Sequence, residues 1–102
     1  MTFDQLRCAD FKYPTVALFY GLACPPCERL KPKLIELCKR WGVRLETFNS
    51  GSEMNAIKSL GLRSVPAVVV VHRGGIVQTA FTGDLSVADI RLKLLAAGVT
   101  EG

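Results

Sequence analysis

Thr15-Val16-Ala17-Leu18-Phe19-Tyr20 opens into Gly21-Leu22-Ala23 and then into Cys24-Pro25-Pro26-Cys27, and no other part of the chain constrains the architecture as tightly. The first six residues are a nearly continuous apolar, β-favouring run, the pattern of an interior strand covered on both faces. Gly21-Leu22-Ala23 reads as a loop. From Cys27 onward the apolar positions Leu30, Leu34, Leu37, Cys38 and Trp41 recur three or four residues apart, which predicts a helix from Cys27 to Trp41 with one buried stripe and Gly42 as its stop. Pro32 lies inside it and removes one backbone hydrogen bond. The two cysteines therefore sit at a strand-to-helix junction.

Outward from that junction, Thr2 and Gln5 read as a capping box for a short helix that carries Leu6 and Cys8 and ends before Tyr13-Pro14. Downstream, Val43 to Phe48 alternates as a second strand, and Glu53 to Leu60 reads as a short helix stopped by Gly61. Ala67 to His72, apolar throughout its valines, is a third strand. Gly74-Gly75 signals a hairpin into a fourth, Ile76 to Thr82. Ser86 with Asp89 caps a last helix containing Ile90, Leu94 and Leu95, which Gly98 closes. The order predicts an α/β sandwich of one domain, residues 1–102: a central sheet with helices on both faces and a terminal hairpin.

Composition agrees with one self-sufficient core. Of 102 residues, 49% are apolar and 22% charged, with no low-complexity tract, so disorder and metal-dependent folding are disfavoured. No run approaches the length of a membrane span, and the N-terminus lacks a charged start followed by an apolar stretch. The expectation is a cytoplasmic protein, in which four cysteines are redox-active or packed rather than a disulfide scaffold. The net charge of +4 is scattered, which gives nucleic-acid binding little support and acidic partners a mild preference.

The spacing of Cys24 and Cys27 places both sulfurs on one helical face, within disulfide reach. Cys24, just before the helix, meets unpaired N–H groups and the positive dipole end, which favour a thiolate. It is the expected nucleophile. Cys27, one turn deeper on the apolar stripe, stays protonated until a mixed disulfide forms, and is the expected resolving thiol. The competing readings are two ordinary thiols or half of a zinc site. Against zinc, there is no second pair, and Cys38 lies roughly 16 Å further along the helix at about 1.5 Å per residue. Cys38 reads as a core residue, Cys8 as a buried one with an exposed regulatory thiol as the alternative, and His72 as structural.

Taken together, the apolar strand, Cys24-Pro25-Pro26-Cys27, Pro32, Leu62-Arg63-Ser64-Val65-Pro66 before a strand and Gly83 after the hairpin resemble the thioredoxin superfamily over nearly the whole chain. The resemblance implies a three-layer α/β/α sandwich on a mixed, four-stranded sheet. It also implies a cis Val65-Pro66 bond facing the cysteines, the backbone at Val65 pairing with an extended substrate, and substrate contacts at Ala23, Pro25, Pro26, Pro66 and Gly83. Three departures stand out. Leu18 occupies the place where thioredoxins usually bury an aspartate, Ala23 replaces the tryptophan before the first cysteine, and the chain starts near the first helix where thioredoxins have an additional strand. The motif is intermediate: Pro26 matches thioredoxins, while a leading proline and Ser64-Val65-Pro66 resemble glutaredoxins.

The implied activity is reduction of protein disulfides through a Cys24-Cys27 dithiol/disulfide cycle in a monomer, with no metal and no cofactor beyond that redox-active disulfide. A thioredoxin-reductase-type flavoenzyme is the expected reductant, and glutathione the alternative. The rival reading is a docking subunit built on the same fold, its cysteines incidental.

Overall fold

Each strand of the sheet has to satisfy two cores at once, and the sequence does so by alternating the destinations of its apolar residues. The computed structural model describes residues 1–101. In chain order the elements are α1 (Phe3–Cys8), β1 (Thr15–Tyr20), α2 (Pro25–Trp41), β2 (Leu45–Asn49), α3 (Met54–Ser59), β3 (Ala67–His72), β4 (Ile76–Thr82) and α4 (Val87–Ala96). The strands form one mixed sheet in the order β2-β1-β3-β4. β1 and β2 run parallel, with α2 as the connection between them, while β3 is antiparallel to both β1 and β4.

On one face Val16, Leu18, Val68 and Val70 pack with Leu30, Leu34, Cys38 and Trp41 of α2 and Ile90 and Leu94 of α4. On the other, Ala17, Phe19, Val69 and Val71 pack with Phe3 and Leu6 of α1 and with Ile57 from α3. Phe3, Phe19 and Phe48 close this second core as a trio with ring centroids 5.1 to 5.6 Å apart. Successive side chains of a strand point to opposite faces, so a strand sandwiched between helices reads as an unbroken apolar run. Leu18, Leu30 and Leu34 are fully buried, each contributing on the order of 2 kcal/mol by area removed from water.

Helix ends follow their caps. Thr2 Oγ1 accepts from Gln5 N–H while Gln5 Oε1 accepts from Thr2 N–H, and Ser86 Oγ accepts from Asp89 N–H. Gly42 ends α2 at φ 68°, a left-handed conformation in which glycine meets no steric cost from a Cβ.

Three elements, α2, β2 and α3, differ in their bounds from the sequence reading, and one cysteine differs in burial. α2 starts at Pro25 rather than Cys27, because prolines in the first turn have no N–H to leave unsatisfied. β2 starts at Leu45 rather than Val43, since Val43 N–H is spent on Cys38 O in closing the helix. α3 spans Met54–Ser59 instead of 53–60: Glu53 does not cap it, and its carboxylate accepts from Phe3 N–H at 3.0 Å, tying α1 to α3. Cys8, expected to be buried, is exposed, because α1 turns only Phe3 and Leu6 inward.

Candidate functional site

The loop between β1 and α2 delivers Cys24 to the helix as its N-cap residue, at φ −118° and ψ 95°. Ala23 before it is left-handed at φ 48°, a conformation that costs a residue with a Cβ about 1 kcal/mol. Cys24 and Cys27 are joined as a disulfide with Cα atoms 5.2 Å apart. Cys27 is 4% exposed, whereas Cys24 is only half-buried, so the pair has one inward and one outward sulfur.

Cys27 N–H donates to Cys24 Sγ at 3.3 Å. Pro25 and Pro26 have no N–H, so of the donors that open a helix, this is the first one present, and it is aimed at the outward sulfur. The prolines thus remove two donors and leave the remaining one focused. Both Pro25 and Ala23 are exposed beside the disulfide, and Pro26 is half-buried.

A second loop approaches from β3. Val65-Pro66 is a cis peptide bond, and Val65 O lies 4.0 Å from Cys24 Sγ. Pro66 is buried, and its carbonyl accepts from Gly83 N–H at 2.8 Å. Gly83, at φ 86°, therefore fastens the β4 end to the proline loop. Gly21 holds the two loops together from the other side: a Cβ there would stand 3.2 Å from Val65 Cγ2 and 3.9 Å from Cys24 Cβ. The structure so gathers Ala23, Cys24, Pro25, Pro26, Cys27, Val65, Pro66 and Gly83 at one end of the sheet.

Leu18 is fully buried in β1, level with Thr47 of β2 and Val68 of β3. Among the described residues Thr15 is the one buried polar side chain, so no carboxylate stands in the interior to exchange a proton with Cys27. Cys38, in contrast, is 2% exposed, and burial pushes its thiol up to about 11. His72 is half-buried with its ring against Gly98, a packing role.

Gly21 and an ionic cluster were invisible to motif reading. Asp84, next to Gly83, binds Arg29 Nε at 3.0 Å and Lys33 Nζ at 2.7 Å, bridging α2 to the loop after β4. Hydrogen bonds from Lys33 and then Arg29 hold its carboxyl below the ordinary 3.8. No local spacing signals a cluster whose members lie more than fifty positions apart. No group of three or more histidine, cysteine or acidic residues that could hold a metal ion occurs among the described residues.

A mixed four-stranded sheet between two helical layers, with a cysteine pair opening α2 and a cis proline facing it, is the thioredoxin fold. Solved structures agree. A thioredoxin from Fasciola hepatica is similar at 20% identity and TM-score 0.76, covering 92% of this chain and 89% of its own. A thioredoxin from Trypanosoma brucei brucei is similar at 18% identity and TM-score 0.76, over 91% and 82%. A structure described for the thiol resolving mechanism of yeast mitochondrial 1-Cys peroxiredoxin via glutathione/thioredoxin systems matches at 17% identity and TM-score 0.77, over 91% and 88%. No protein-family model and no curated protein matches the sequence. At these identities the likeness establishes the fold, and the chemistry has to be argued from the cysteines.

Proposed function

We propose that the protein is a thiol-disulfide oxidoreductase that reduces protein disulfides through Cys24 and Cys27. The observation that carries this reading is the asymmetry of the pair: an outward sulfur at a helix N-terminus, hydrogen-bonded by Cys27 N–H, covalently joined to a buried one. In the reduced protein, that N–H and the helix dipole favour the Cys24 thiolate. The thiolate attacks one sulfur of a substrate disulfide. A Cys24–substrate bond forms, and the other substrate sulfur leaves with the electron pair and takes a proton from water.

Cys27 then loses its proton to solvent or to the departing thiolate, since no carboxylate stands in the interior among the described residues. Its sulfur attacks Cys24 Sγ, forming the Cys24–Cys27 disulfide and expelling the second substrate thiolate. Two electrons have passed to the substrate, and an external dithiol reductant must return them. We assign that role to a thioredoxin-reductase-type flavoenzyme, with the chain acting as a cytoplasmic monomer.

Reduction of a protein disulfide by the intact chain, Cys24→Ser and Cys27→Ser tests the proposal. The intact chain turns over, Cys24→Ser falls to the uncatalysed background, and Cys27→Ser accumulates a mixed disulfide visible by mass spectrometry. Equal rates for the intact chain and Cys24→Ser would leave the cysteines incidental and favour a docking role.

A further inference from the structure

The surroundings of the outward sulfur are unevenly charged. The first turns of α2 carry Glu28, Arg29, Lys31 and Lys33, and the proline loop carries Arg63, two residues before Val65. Asp84 is bound by both Arg29 and Lys33, so one carboxylate is shared between two cations. Lys31 and Arg63 have no carboxylate partner among the described residues. Lys31 Nζ instead stands 4.8 Å over the Tyr20 ring, at the end of β1 where the Cys24 loop begins. Lys31 falls one and two turns beyond Cys27 and Cys24 along the same side of α2, by the helical period. Arg63 is exposed on the loop whose Val65 carbonyl lies 4.0 Å from Cys24 Sγ. The loop that delivers Cys24 is itself apolar, with Leu22 81% exposed beside the exposed Ala23 and Pro25.

We propose that Lys31 and Arg63 make the site selective for disulfides carried in acidic, extended protein segments, with the exposed Leu22 as an apolar contact on the Cys24 loop. This rests on the dithiol reading above. A segment lying over Cys24 runs beside both α2 and the proline loop, so its carboxylates meet Lys31 on the one element and Arg63 on the other, neither of which is neutralised by a carboxylate among the described residues. Such complementarity acts chiefly on the rate of encounter and is screened by salt.

The test uses the reduced protein in single-turnover stopped flow, which needs no reductase. Three peptides carry the same disulfide flanked by aspartates, serines or lysines, and hydroxyethyl disulfide serves as a small neutral probe. At about 0.01 M salt the aspartate peptide reacts about tenfold faster than the lysine peptide, and at about 1 M salt the ratio approaches one. Arg63→Glu and Lys31→Glu each lower or invert that ratio. Lys39→Glu, with the same charge change roughly 22 Å along α2 at about 1.5 Å per residue, leaves it within about twofold. Equal rates for the three peptides, or a Lys39→Glu effect as large as that of Arg63→Glu, overturn the assignment while leaving the oxidoreductase reading intact. No reaction with any peptide or with hydroxyethyl disulfide overturns both.

Discussion

The two ends of α2 carry the same residue type and put it to opposite uses. At the N-terminus Cys24 and Cys27 share a disulfide, one sulfur half-exposed and within 3.3 Å of a backbone donor. Three turns on, Cys38 sits between Leu34 and Trp41 on the buried stripe, its thiol pushed up to about 11 by burial. Thiolate, not thiol, is the nucleophile, so Cys38 is inert at neutral pH for the same reason that it packs well. Position on the helix, rather than cysteine content, separates an outward, donor-bonded sulfur from a buried one.

That contrast breaks first if the interior end proves tolerant. Leu34→Ala, one turn before Cys38, should cost about 2 to 5 kcal/mol in urea denaturation by opening a cavity in a fully buried site. The protonation of Cys38 supplies the next effect. A folded-state value raised from 9.0 to about 11 means that the native protein holds this proton more tightly than the unfolded chain. The resulting stability, about 3 kcal/mol at full effect, is complete below pH 9 and lost as pH rises through 11. Compared with Cys38→Ala, the wild-type advantage in urea midpoint should therefore shrink across that window.

At the reactive end, substitutions trade stability against chemistry. Cys24→Ser places a strong N-cap residue at the start of α2, so relative to the reduced wild type it should gain about 0.5 to 1 kcal/mol while losing turnover. Pro25→Gly restores one N–H to the first turn and should lower the Cys24 thiol pKa by under about one unit, followed by thiolate absorbance. An unchanged value would remove the missing donors as a cause of tuning. The smallest effect belongs to Asp84→Asn, which should lower the thermal midpoint slightly at pH 7 through its pairs with Arg29 and Lys33. Because those cations hold the Asp84 carboxyl low, its contribution is present above the ordinary carboxylate range and lost as pH falls through the native value, where variant and wild type converge.

How much of this was legible in the chain depended on whether the signal was local. β1 and β3 are found where their apolar runs lie, because strands buried on both faces leave no polar register to confuse. The junction holding Cys24 was equally clear. The start of α2 lies two residues before its first apolar stripe position, Cys27, because the first turn is made by Pro25 and Pro26, which carry no part of the buried periodicity. β2 was displaced because Val43 and Arg44 alternate like strand residues yet serve the helix exit and the edge of β1: Val43 N–H binds Cys38 O, and Arg44 O accepts from Val16 N–H at 2.9 Å. Asp84 with Arg29 and Lys33, Glu53 with Phe3 N–H, and Gly21 against Val65 lie beyond local reading, since only the folded sheet brings those residues together. The exposure of Cys8 was lost for a related reason: a helix of six residues has too little periodicity to say which flank faces water.

The activation of Cys24 is best tested by alkylating the fully reduced protein with iodoacetamide over a range of pH and quantifying each cysteine by mass spectrometry. The account predicts that Cys24 is modified first, with an apparent pKa below the ordinary thiol value of about 8.5, ahead of Cys8 although Cys8 is the more exposed, and far ahead of the buried Cys27 and Cys38. Modification of Cys24 no faster than that of Cys8 across the range would contradict it.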